Sequence, residues 1–79
     1  MTDLKGTLAN IARAIVDSPE DVVVTVTEES ESSISLKLTV AAPDMGKVIG
    51  KHGKIAKAIR TVMRAAANAD GKDVNVEIR

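Results

Sequence analysis

The sequence predicts an α+β domain: a three-stranded sheet with its helices packed on one face, in the order helix, strand, strand, helix, helix, strand. Three observations predict it. Val22–Thr27, Ser33–Val40 and Asp73–Ile78 each alternate apolar with polar residues, the period of a half-buried strand. Apolar residues recur at three- and four-residue spacing before the first strand and again between the second and third. Within that later stretch, Gly50-Lys51-His52-Gly53 breaks one helix from the next. A single layer of helices on the sheet uses every apolar stripe. With no repeat, low-complexity tract or linker, the 79 residues read as one domain, 1–79.

Leu4, Leu8, Ile11, Ile15 and Val16 form one stripe, predicting a helix from about Thr2 to Val16 that packs on the core. Asp17-Ser18-Pro19 ends it, because the residue before proline is pushed out of the α region. Val22, Val24 and Val26 alternate with Val23, Thr25 and Thr27, and their β-branched character settles a strand. Glu28-Glu29-Ser30-Glu31-Ser32 reads as a solvated hairpin turn. Ile34, Leu36, Leu38 and Val40 make the second strand, paired antiparallel with the first. Ala42-Pro43-Asp44 stops it, and Asp44 is placed to cap a short helix, its carboxylate accepting from N–H groups of the next turn. That helix ends at Ile49. The longer one runs from Gly53 or Lys54 to Ala69, with Ile55, Ile59, Val62, Met63 and Ala66 as the expected buried stripe and Lys57, Arg60 and Arg64 on another face. Asp70-Gly71 closes it, with glycine where left-handed φ is needed. Val74, Val76 and Ile78 then face the core from the last strand.

Charge narrows the function. Lys47, Lys51, Lys54, Lys57, Arg60 and Arg64 lie between Met45 and Ala69 with no acid among them; all 11 acids lie outside that window. The formal net charge of zero thus averages a basic segment with an acidic body, an asymmetry that points to a polyanion. The chain has no Phe, Tyr or Trp, which excludes the stacking platforms of RRM and OB-type binders. With no cysteine, disulfides and thiolate metal sites are excluded too. Met1-Thr2-Asp3-Leu4-Lys5-Gly6 has no apolar run and an early acid, so no signal peptide is expected. No stretch is apolar enough to span a bilayer, and a cytoplasmic protein with no membrane partner is the expectation.

The glycine pair carries the chemistry. Two glycines three apart let the chain bend sharply and bare its amides, and the helix that follows adds orphan N–H groups and a positive dipole end. Such a bend is a ready phosphate site. The plainer reading is a tight helix–helix connection with no ligand, and for Arg60 and Arg64 it is a solvated helix face. His52 is the only histidine and lacks companion ligands, so no metal is expected; it would bond a phosphate or sit in water, and protonation would strengthen its hold on an anion. Gly46-Lys47-Val48-Ile49-Gly50-Lys51 approaches a phosphate-binding Walker A loop. It has three residues between the glycines where that loop has four, and His52 stands where Ser or Thr must reach Mg²⁺. No cysteine nucleophile or recognisable serine motif is present either, so we expect no enzyme, no cofactor and no small-molecule substrate.

Val48-Ile49-Gly50-Lys51-His52-Gly53, followed by Ile59, resembles the KH-domain signature, and the element order resembles its type II (bacterial) form. Length and the run Pro43–Lys51 resemble the small bacterial KhpA (YlqC-type) family across essentially the whole chain. In one departure, Ala56 stands three residues after Gly53, where many KH domains carry a larger aliphatic residue, so the detailed groove shape does not carry over. The resemblance implies a cytoplasmic single-stranded RNA-binding protein or RNA chaperone, a homodimer or a heterodimer with a KhpB (Jag-like) partner. It also implies links to cell length, division and envelope synthesis. In the KH mode the Gly50–Gly53 bend clamps about four nucleotides. Amides near Lys51, His52 and Gly53 would meet phosphates, and Lys51, Lys54 and Lys57 would supply charge. Lys47, Arg60 and Arg64 would extend the track, and Val48, Ile49, Ile55 and residues near Leu38 would floor a groove for bases. The alternative is a dimerisation or scaffold module with weak RNA affinity.

Overall fold

The computed structural model describes residues 3–79. Helix α1 spans Leu4–Ile15; the expected start at Thr2 lies outside the described residues. Asp3 caps α1, its carboxylate accepting from the Gly6 N–H at 3.0 Å. Leu4, Leu8, Ala9 and Ala12 face the core, with Ile11 and Ile15 packed at its margin. A 3-10 turn at Pro19–Asp21 leads to β1, Val23–Glu29.

Strand β1 pairs antiparallel with β2, Ser33–Thr39, as the alternation predicts. It runs two residues further than the sequence indicates. The register shifts between Val26 and Glu28, a bulge that admits Thr27 as an extra residue and brings Glu28 opposite Ser35 and Glu29 opposite Ile34. The turn itself is therefore only Ser30–Ser32, closed by a Ser30 N–H to Ser33 O bond of 2.8 Å.

Strand β3, Asp73–Ile78, lies parallel to β2 at the sheet's edge, in the order β1-β2-β3. A parallel neighbour needs a crossover. Helices α2, Met45–Ile49, and α3, Lys54–Ala69, supply it, joined by the bend that begins at Gly50. All three helices cover the same sheet face. Val24, Leu36, Leu38 and Val76 point into them, while Val23, Thr25, Thr39, Ser33, Asp73 and Asn75 are exposed on the opposite face. Leu8, Leu36, Leu38, Met63 and Val48 form the dry centre.

Helix α3 turns a different line to the sheet than hydropathy suggests. Ile59 and Met63 are core as expected and Ala66 packs at its edge, but the inner line is completed by Ala56 and Ala67. Val62 is 51% exposed and Ile55 39%. Alanine thus stands at the first and last inner positions, and the larger side chains on the flank are left outside. Gly71, with φ of +72°, ends the helix in the left-handed conformation expected of it. Among the described residues no helix is long and apolar enough to cross a membrane.

Candidate nucleic-acid interface

The site begins at Asp44, which is 2% exposed. It does not cap α2. Its carboxylate accepts from the backbone N–H of Asp17 at 3.3 Å and of Ser18 at 3.0 Å, tying the end of α1 to the start of α2. Those amides lose helical partners where Pro19 stops the chain, and a buried carboxylate satisfies them. Lys47, one turn on, forms an ion pair with the Asp17 carboxylate and lies 4.0 Å from Asp44 Oδ1. The Asp17 hydrogen bond, opposed by some desolvation and aided by the charges of Asp17 and Asp44, raises the Lys47 pKa. Lys47 thus has a partner in this cluster, in a pair whose two side chains both remain well exposed to solvent.

Gly50 ends α2, its N–H donating to Gly46 O at 2.8 Å. Its φ of +74° and ψ of 173° belong to a region that is essentially glycine's alone. A Cβ there would also run into Ile55, lying 2.9 Å from the Ile55 nitrogen. His52 (φ 58°, ψ 26°) and Gly53 (φ 73°, ψ 13°) are left-handed too. Two hydrogen bonds make the bend: Gly53 N–H to Gly50 O at 3.2 Å, and Lys54 N–H to Lys51 O. The Gly53 amide, expected to meet phosphate, is consequently in use. The Lys51 and His52 amides lie outside both bonds, and both residues are exposed. No atom stands within 4 Å of where a Gly53 Cβ would be, so that side of the bend is open.

Lys54 and Lys57 are exposed beside the bend. Ile49 and Ile55, 38% and 39% exposed, flank it with apolar surface. Val48 and Leu38 do not: both are wholly buried and back the site from the core, where no base can touch them. Arg60 is half-buried, its Nε–H donating to Val76 O at 3.2 Å.

With about 100° between successive residues, the inner line Ala56–Ile59–Met63–Ala67 divides the rest of α3 into two flanks. Lys57, Arg60 and Arg64 fall together beside β3; Ile55, Ala58, Val62 and Ala69 fall on the other side. The basic and apolar residues of one helix are thereby kept apart. Among the described residues no group of three or more His, Cys, Asp or Glu side chains could hold a metal.

A family model described as "KhpA/KhpB, KH domain" matches residues 5–78. The chain belongs to the KhpA/KhpB KH-domain family. Curated relatives in this family include RNA-binding protein KhpA of Clostridium acetobutylicum, 55% identical over 95% of this chain and 99% of the relative. Those of Listeria monocytogenes and Treponema pallidum are 48% and 49% identical, each over 90% of this chain and covering 92% and 88% of the relative. Among solved structures, Era in complex with MgGDPNP and nucleotides 1506–1542 of 16S ribosomal RNA matches with a TM-score of 0.72 and 19% identity, over 95% of this chain and 28% of that one. At that identity the likeness bears on fold alone, and it accords with the KH-type arrangement read from the element order.

Two features of this KH domain escape a sequence reading. The Asp44 bonds span 26 and 27 residues, and the Arg60 bond to β3 spans 16. No local pattern announces either. The inner line of α3 was available as Ala56, Ile59, Met63, Ala67 at helical spacing, but alanine carries too little hydropathy to outvote Ile55 and Val62.

Proposed function

We propose that the protein binds single-stranded RNA by clamping its backbone at the Gly50–Gly53 bend. One observation carries this reading: an exposed bend whose Lys51 and His52 amides lie outside its own hydrogen bonds, set in a stretch with no acid. Two successive amides left outside the hydrogen bonds of a glycine-edged bend suit a phosphate, and Lys51, Lys54 and Lys57 would neutralise it and its neighbours. Ile49 and Ile55 offer apolar contact in place of the absent aromatics. The relatives named RNA-binding protein KhpA support the same ligand. Action as an RNA chaperone in the cytoplasm, pairing with a KhpB-like protein, and a part in cell length, division and envelope synthesis extend this proposal by family resemblance.

The test is binding of a short single-stranded RNA by wild type and by the Lys51→Asp/His52→Asp double variant at two salt concentrations. Four phosphate contacts would weaken wild-type binding about fiftyfold between roughly 50 and 200 mM salt. The double variant, with two carboxylates in the cradle, should bind far more weakly at both. Equal affinity for the two proteins would remove the bend from the mechanism.

A second reading, self-association, has its own observation: the apolar flank of α3, where Val62 is 51% exposed beside Ile55. Val62 lies across the helix from the basic flank, so a dimer centred on it would leave the basic track free, although Ile55 would be shared with the RNA contact proposed above. Val62→Asp should shift sedimentation toward monomer, without the salt sensitivity of RNA binding; a wild type already monomeric at high concentration would end this reading.

A further inference from the structure

Strand β1 is the barest part of the sheet. Every residue in it but Val24 is exposed, against two in β2 and two in β3. It is also an edge, with β2 on one side and no strand on the other. The pairing determines which of its backbone groups are left over. Leu38 O accepts from Arg79 N–H on the β3 side, and Ser33 O accepts from Ser30 N–H within the hairpin. Even-numbered residues of β2 therefore turn their backbone groups to β3 and odd-numbered ones to β1, so Lys37 and Thr39 bond Thr25 and Val23. Val24 and Val26, opposite Leu38 and Leu36, turn theirs to the open edge. Among the described residues no backbone bond reaches them there.

The same strand walls a cavity of about 190 Å³ on the helix side, between the start of α1 and the turn that follows α3. Leu4, Val26 and Ile34 give it apolar walls, and Val26 is left 37% exposed. Asp3, Glu29 and Asp70 outnumber Lys5 and Lys72 around it, and Lys72 is already paired with Glu29 at 3.4 Å. The bulge turns Glu29 toward this cavity, because it sets that residue opposite the inward-facing Ile34.

A second copy fits this edge poorly. Two β1 strands paired antiparallel across it would set Glu20 and Asp21 of one against Glu28 and Glu29 of the other, all four exposed and with no base between them in the sequence. The same charges suit a cationic strand. We propose that β1 and the cavity beside it form a docking site for an extended basic protein segment, one with an apolar centre and lysine or arginine at both ends. Its backbone bonds the N–H and C=O groups of Val24 and Val26 as a fourth strand, and one apolar side chain enters the cavity. Its cations meet Glu20 and Asp21 at one end and Glu28 and Glu29 at the other. Strand β1 lies across the sheet from β3, and the cavity lies past the far end of α3 from the bend, roughly 24 Å along a helix of 16 residues. The site therefore leaves the basic surface free, and it stands apart from the RNA-binding reading.

The experiment adds the peptide acetyl-Lys-Lys-Val-Leu-Val-Lys-Lys-amide to the full chain and follows amide exchange and amide resonances residue by residue. In the free protein the Val24 and Val26 amides should exchange faster than those of Val23 and Thr25, which bond β2. Near saturation with peptide, exchange at Val24 and Val26 should slow about tenfold or more, with Val23 and Thr25 little changed. The resonances of Val26, Leu4 and Ile34 should move with it. The same peptide with glutamate for lysine should not bind. A peptide N-methylated at its three central residues keeps the charge but cannot donate along an edge, and should lose about tenfold in affinity or more. Because every arm uses the wild-type protein, no variant has to fold. Exchange at Val24 and Val26 unmoved by the lysine peptide, or equal binding of the glutamate or N-methylated peptide, overturns the proposal. So do shifts that cluster on α3 around Val62 instead. Protection of Val24 and Val26 that rises with protein concentration in the absence of peptide would make a second copy the occupant, and overturns it as well.

Discussion

The two glycines of the bend look alike in sequence, and the structure makes them differ in what they tolerate. At Gly50 an added Cβ meets Ile55 Cγ1 and lies 2.8 Å from Ile55 Cβ and 2.9 Å from the Ile55 nitrogen. The last of these is backbone and cannot step aside without moving the first turn of α3. Its φ of +74° and ψ of 173° add strain of about 1–3 kcal/mol for any other residue. Forced overpacking adds about 1–3 kcal/mol more. Gly50→Ala should thus cost about 4 kcal/mol, a large share of the roughly 4–12 kcal/mol typical of a domain this size, and lower Tm by about 20 °C. Gly53 has the ordinary left-handed φ of 73° and open space where its Cβ would go. Gly53→Ala should cost only about 1–2 kcal/mol, or roughly 5–15 °C. With no aromatic residue in the chain, the assay is far-ultraviolet circular dichroism at rising temperature. If the two variants melt together, or Gly50→Ala loses less than Gly53→Ala, the steric account of the bend is wrong.

Asp44→Ala leaves the Asp17 and Ser18 amides without their acceptor and should cost about 2–3 kcal/mol; amide exchange should quicken at those residues first, and unchanged protection there would refute the role given to Asp44. Asp17→Asn removes the partner that holds Lys47. It should tighten RNA binding and steepen its salt dependence by about 0.7, one further phosphate contact, whereas a slope no steeper than wild type would show that Lys47 cannot reach the RNA. Because the Lys47 pKa is raised by its pairing, that pairing acts in full below the ordinary lysine range and fades only as pH climbs through the raised value. Any Tm difference between Asp17→Asn and wild type should accordingly be flat from neutral to mildly alkaline pH; a difference that vanished near neutrality would refute the assignment.

The parts of the fold legible in the sequence were those with a strict period. Ile34, Leu36, Leu38 and Val40 allow one strand and one face, and the observed burial follows them. The helix break at Gly50 and the stop at Gly71 were legible because glycine alone sits easily at those dihedral angles. Helix α3 was harder. Its apolar residues cover more than half its circumference, so hydropathy fixes a helix but not which line faces inward. The folded chain turns the line through Ala56 and Ala67 inward and leaves Ile55 and Val62 on the flank. Asp44 failed as a predicted cap for a related reason. Sequence ranks the nearest amides as partners, while the chain offers it two orphaned ones from the end of α1. Val48 was assigned to the groove because it adjoins the bend, yet at 0% exposure it belongs to the core.

The placement of α3 explains why a chain with no net charge carries a basic surface. A helix that covers a sheet has one inner line and two flanks, and here the flanks differ. On the β3 side, Lys57, Arg60 and Arg64 stand beside an open strand edge; on the other, Ile55 and Val62 remain partly bare. Acids stand at both ends of the strands: Glu28, Glu29 and Glu31 at the hairpin, and Asp17, Glu20, Asp21 and Asp44 where the end of α1 and the start of β1 meet α2. At that second place Asp17 and Asp44 are answered by Lys47. The basic surface is therefore local, confined to the bend and the β3 flank of α3, where Lys51, Lys54, Lys57 and Arg64 are exposed within a stretch that holds no acid. A polyanion would be drawn to that surface and not to the rest of the domain, and the amides of Lys51 and His52 lie on it.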